Sequence, residues 1–159
     1  NEALDSPPET DASSADDGQG PQQFATVHGI EVSNDGLVYV ADRNNSRIQV
    51  FTIAGAYTTQ GSINQNADSA LTTAGLAFSP DPQQQFMYVA DQGNSRIHVV
   101  DRTTLEVLDS FGREGELPGE FQALHHIASD SNGNLYTAEA QRGRRVQKFV
   151  FQGMAPTRR

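Results

Sequence analysis

Val40-Ala41-Asp42-Arg43-Asn44-Asn45-Ser46-Arg47-Ile48-Gln49-Val50-Phe51 is the stretch that decides the fold, because it returns. Val89-Ala90-Asp91 followed by Asn94-Ser95-Arg96-Ile97-His98-Val99-Val100 repeats it, and Thr137-Ala138-Glu139 followed by Arg145-Val146-Gln147-Lys148-Phe149 repeats it again. The tyrosines just ahead of these stretches, Tyr39, Tyr88 and Tyr136, are spaced 49 and 48 residues apart, and the acids Asp42, Asp91 and Glu139 keep the same spacing. Agreement across this many columns is far more specific than any single motif, and self-similarity at a fixed period signals a repeat architecture.

Each unit reads as short strands separated by turns. Leu37, Tyr39 and Ala41 alternate with Val38, Val40 and Asp42, and β-branched and aromatic residues are plentiful. Asn34-Asp35-Gly36 and Asn132-Gly133-Asn134 carry tight-turn chemistry, since Gly and Asn tolerate positive φ. Further strands are expected near 54–60 and 105–111, which makes four strands per unit. No stretch holds a capped helical period, so no helix is expected. Four strands in forty to fifty residues is the signature of a propeller blade.

The fold expected is therefore all-β, a partial β-propeller of three four-stranded blades at about 24–72, 73–120 and 121–151. The last unit stops after three strands near Phe151. Residues 152–159 form a short tail. Propellers close with about four to eight blades, so three fall short of a ring; the units resemble NHL repeats, and that resemblance implies the C-terminal half of a six-bladed propeller. The first 23 residues are polar, with Pro and Gly, and are expected to be disordered or an extended inter-blade loop.

Charge and composition narrow the function. Of 20 acidic residues, six fall in positions 1–23, which hold no Lys or Arg; the remaining 14 acids face 11 basic residues. The repeats are thus near neutral and lack a basic stripe, which speaks against nucleic acid as a partner. There is no cysteine and hence no disulfide or thiolate metal site. No run of apolar residues is long enough for a membrane span. Phosphate loops and the Gly-x-Ser-x-Gly elbow are missing, as is the axial column of carboxylates and Asn that a sugar-lactone hydrolase needs.

One column differs from the scaffold columns. His28 and His125 each lie four residues after a Phe and eight before the turn glycine, so they hold the same position in units one and three; Ala74 holds it in unit two. The start of a blade's first strand sits near one rim of the central channel. In a regular six-bladed ring, alternate blades are ~120° apart. Histidines on three alternate blades would converge on the axis, which suits zinc with three protein ligands and one open position. The plainer alternative is a rim histidine bonded to a backbone carbonyl. Arg43 has a plain alternative as well, a solvated rim charge. Asp42, Asp91 and Glu139, with Arg47, Arg96 and Arg145, recur in every unit and read as turn-capping ion pairs. His126 and His98 read as packing residues.

The pattern of Gly-Ile/Leu, then Tyr-Val-Ala-Asp, then Asn-Ser-Arg-Ile-Gln-Val-Phe resembles the NHL repeat. The His start followed by Val40–Phe51 is similar to the propeller of the peptidyl-α-hydroxyglycine α-amidating lyases. That resemblance implies an axial zinc site with His28 and His125 as two ligands. It implies a third histidine about 97 residues before His28, outside this chain together with the family's catalytic tyrosine. It implies Arg43 as a catalytic residue that holds a carboxylate or stabilises negative charge. The metal would acidify a substrate hydroxyl, and carbon–nitrogen cleavage would release an amide and glyoxylate. An extracellular or periplasmic setting follows from the same resemblance. The family's calcium-binding Asp is replaced by His126, an imidazole that calcium does not favour. The expected partners are a small molecule or peptide at the axis or, in a non-catalytic scaffold, a protein on the rim.

Overall fold

The computed structural model describes residues 18, 20–64 and 71–153. Most of the lead-in 1–23 and the tail from 154 onward therefore lie outside the described residues. Eleven strands fall into three antiparallel meanders among those residues. The first blade comprises β1 (Val27–Val32), β2 (Leu37–Asp42), β3 (Arg47–Thr52) and β4 (Tyr57–Ser62). The second comprises β5 (Leu76–Phe78), β6 (Phe86–Asp91), β7 (Arg96–Asp101) and β8 (Val107–Phe111). The third comprises β9 (Leu124–Ser129), β10 (Leu135–Glu139) and β11 (Val146–Phe149).

The all-β propeller expectation holds, and among the described residues the third sheet has the three strands expected of the last unit. One element is added to the expectation. A single 3₁₀ turn, Arg43–Asn45, joins β2 to β3 and closes on Ser46 at φ 51°. The turn chemistry acts as the sequence implies. Gly36 takes φ +78° and donates its N–H to the Ser33 carbonyl at 3.0 Å, and Gly133 takes φ +82° and does the same to Asp130.

Period-two alternation gives every sheet two apolar faces, and blades stack face to face. One cluster joins blades one and two, with Tyr39, Ala41 and Ile48 meeting Leu76, Phe78 and Val89. A second joins blades two and three, with Ala77, Ala90 and Ile97 meeting Phe121, Leu124 and Ile127. Equivalent columns show what stacking covers. Ile48 and Ile97 are each 0% exposed, while Val146, in the same column of the third blade, is 72% exposed. On the opposite face Leu76 and Ile127 are 3% and 7% exposed, while Ile30 is 62% exposed. Covering one such side chain is worth about 1.5–3 kcal/mol, so each outer face leaves apolar surface that the stacked blades bury at their shared faces.

The recurring acid and arginine are structural in blades one and three. Arg47 Nε donates to buried Asp42 at 2.9 Å, and its Nη2 reaches the carbonyls of Gly18, Gly20 and Gln23. Arg145 donates to Glu139 at 2.6 Å and to the carbonyls of Gly115, Glu116 and Glu120. Each guanidinium thus pins the connector that enters its own blade. Blade two departs from the expected pairing. Asp91 accepts from His98 at 3.0 Å and from Asn94, while Arg96 lies exposed with Ser110 at 3.5 Å. His98 stands where blades one and three place Gln49 and Gln147. Its shorter, buried ring takes over the acid and leaves no call for the arginine.

Candidate functional site

The first strand of each blade opens with a β-bulge. Val27 faces Asp42 and Ile30 faces Val40, so His28 and Gly29 together oppose Ala41. Leu124 faces Glu139 and His126 faces Ala138, which makes His125 the extra residue. In blade two the Ala74 N–H donates to the Ala90 carbonyl and the Ala90 N–H to the Gly75 carbonyl. A bulge re-aims the side chain of its extra residue. Here it does so for the column His28, Ala74, His125 in every blade.

The consequence is convergence. The His28 and His125 rings lie 4.5 Å apart, centroid to centroid, at 58°. They come from alternate blades and meet over the blade between, where Ala74 offers only a methyl group. His28 Nδ1 lies 2.7 Å from the Ala74 carbonyl oxygen. A carbonyl only accepts, so Nδ1 carries the hydrogen and the neutral ring keeps its lone pair on Nε2. The expected carbonyl partner is present, and it orients the second nitrogen rather than occupying it. A backbone carbonyl on one nitrogen is how proteins aim a histidine at a metal.

Burial lowers the pKa of both rings. For His28 the Ala74 bond works against that shift, and the charges of Arg43 and His126 add to it. For His125 the charges of His28, His126 and Arg43 add to desolvation. Both shifts favour the neutral imidazole, the form in which a histidine ligates a metal. Among the described residues, no group of three or more His, Cys, Asp or Glu is set to hold a metal ion. Of the sequence-predicted ligand column, the chain brings His28 and His125 together as a pair of imidazoles.

Arg43 follows β2 directly and stands near enough for its charge to lower the pKa of both rings. Its Nη1 donates to Gln92 Oε1 at 3.1 Å and its Nε to Asn44 Oδ1 at 3.3 Å. Gln92 is the blade-two residue in the column of Arg43, one place after the buried acid. Two residues of the site escape the sequence reading. Gln92 was signalled only by its column. His126, expected to pack, is exposed, with its ring 4.8 Å from His125 and 5.8 Å from His28.

The NHL repeat family matches residues 24–51, which run from the connector through β3. The chain is 30% identical over 138 residues to NHL repeat-containing protein 3 of Homo sapiens. That alignment covers 85% of this chain and 38% of the human protein, so the chain spans well under half of that relative's length. Among solved structures it is similar to the hydrazine synthase of Kuenenia stuttgartiensis, with TM-score 0.58, 14% identity, and coverage of 77% of this chain and 31% of that one. It is also similar to virginiamycin B lyase of Staphylococcus aureus, with TM-score 0.55, 15% identity, and coverage of 80% and 42%. The WD40 repeats of RRP9 match with TM-score 0.55 and 12% identity over 79% of this chain and 39% of that one. At such identities the likeness is one of fold. The chain is a β-propeller segment in which residues 24–51 match the NHL repeat. Among the described residues, no helix is long and apolar enough to cross a membrane.

Proposed function

We propose that these blades supply part of an axial metal site in a lyase-like NHL propeller, with His28 and His125 as ligands and Arg43 as the anchor for a small anionic substrate. The observation that carries this reading is the 4.5 Å approach of two imidazoles from alternate blades. His28 would ligate through Nε2, because Nδ1 is committed to the Ala74 carbonyl. Zinc is the metal best suited to imidazole ligands with an open position, and when bound it would polarise a substrate oxygen. Arg43, steadied by Gln92, would hold a carboxylate through its guanidinium. Calcium has no favoured ligand at His126.

Zinc titration of the intact protein by calorimetry tests the proposal. Binding is expected in the wild type and lost in both His28→Ala and His125→Ala, with unchanged circular dichroism. Absence of zinc binding in the wild type would end it.

A second reading, a peptide- or protein-binding scaffold, has one observation in its favour. A cavity of about 710 Å³ between blades two and three is lined by Tyr88, Leu108, Phe111, Leu135, Phe149 and Phe151. It adjoins β11, whose partner among the described strands is β10 alone. An extended apolar segment would fit there by adding a strand. Phe151→Asp would abolish such binding and leave zinc binding intact.

A further inference from the structure

Gly29 and Gly75 hold one column, and the structure shows why. A methyl group on Gly29 would lie 2.7 Å from the Ala74 carbonyl oxygen. One on Gly75 would lie 3.0 Å from both the His126 Cα and the Ile127 amide nitrogen. Each clash is with the backbone of the next blade's first strand, so that strand passes too close to admit any side chain. The third residue in this column is His126. It pairs with Ala138 in regular register with Ile127 and Ala128, so its side chain leaves β9 on the face of Ala128, away from blade two. A strand following blade three at the spacing seen between the other blades would collide with the imidazole.

We propose that His126 keeps a gap open beside the His28–His125 pair, and that it donates an N–H there to a small carboxylate ligand held from the other side by Arg43. This deepens the reading above and rests on it for the identity of the site. Two observations support it. The His126 ring is exposed and stands within 5.8 Å of both partners. Arg43 uses Nε and Nη1 on Asn44 and Gln92, and its Nη2 makes no hydrogen bond among the described residues. The site therefore presents N–H donors from both residues, which is the setting for an anion.

The test uses the intact protein, with zinc and glycolate as probes and three variants. His126→Gly restores the residue of the first two blades, His126→Asn keeps a donor, and Arg43→Gln removes the charge. Zinc binding is expected to be retained in both His126 variants. Glycolate affinity, read by calorimetry on zinc-loaded protein, is expected to fall about tenfold in His126→Gly, as for the loss of one charge-assisted hydrogen bond. It is expected to fall at least as far in Arg43→Gln and to recover in His126→Asn. Loss of zinc binding in His126→Gly would make His126 a ligand and overturn the proposal. So would glycolate binding that His126→Gly leaves unchanged, or no glycolate binding by the wild type. Should the wild type fail to bind zinc, the metal reading falls alone, and glycolate binding to the metal-free protein decides this one by the same comparison.

Discussion

His28 and His125 stand 4.5 Å apart although a complete blade separates them in the chain. Two bulges and one small residue produce that approach. The bulges turn the imidazoles off their sheets, and the blade between contributes the small Ala74 in their column and its carbonyl to His28. Ala74→Leu should therefore separate the rings. The expected outcome is loss of zinc binding with the blades still folded, checked by calorimetry alongside far-ultraviolet circular dichroism.

Close approach of adjacent first strands sets a second expectation. Gly29→Ala should destabilise the protein by about 1–3 kcal/mol, because its methyl group meets a backbone oxygen that cannot move independently of blade two. Gly119→Ala tests a different cause. It has open space around its Cα but φ +85°, so backbone strain alone acts and the loss should be about 1 kcal/mol. Denaturant titration of both variants separates the two.

Arginines in one column should differ sharply in worth. Arg47→Ala removes the cation paired with the buried carboxylate of Asp42, leaving it only the neutral donors of Ala25, Thr26 and Asn45, and frees three connector carbonyls, at a cost of about 3–5 kcal/mol. Arg96→Ala removes an exposed side chain with a 3.5 Å contact, and should cost less than about 1 kcal/mol. Equal losses in thermal or urea denaturation would refute the division of roles between the blades.

His98 does in blade two what Arg47 does in blade one. Its Nε2 bonds to Asp91, and its Nδ1 is buried with no partner among the described residues. His98→Leu should cost about 1–3 kcal/mol by leaving Asp91 short of a donor. His98→Gln installs the residue of the neighbouring blades and should cost less, as urea titration would measure.

Asp130 caps the β9–β10 turn. Its carboxylate accepts from the Asn134 side chain at 2.8 Å, from the Asn134 and Asn132 amides, and from the Tyr136 hydroxyl at 3.0 Å. These bonds, led by the Asn134 side chain, lower its pKa from 3.8 to about 2. A depressed folded-state pKa adds stability above the unfolded value and loses it as pH falls through the folded one. The contribution should be complete above pH 4 and gone below about 2. Asp130→Asn should flatten that part of the pH–stability profile, measured by thermal melts between pH 2 and 6.

The repeats by themselves determined the blades. Period-two alternation, turn glycines and recurring Tyr, Asp and Arg columns are local and threefold redundant, so Gly36 and Gly133 turn and β2, β6 and β10 form where their sequence implies. The column His28, Ala74, His125 was legible for the same reason, since a repeat reports equivalence of position. Only the tertiary structure decided what each column does. Arg96 matches Arg47 by position, yet His98 had already taken its acid, a pairing set by side-chain reach within β7. His126 matches Gly29 and Gly75, and its meaning waited on how near the next strand passes. Gln92 became a partner of Arg43 only when two turns from different blades met. Sequence fixes hydrogen-bonding and packing within a blade, whereas contacts between blades depend on separations that no single repeat encodes.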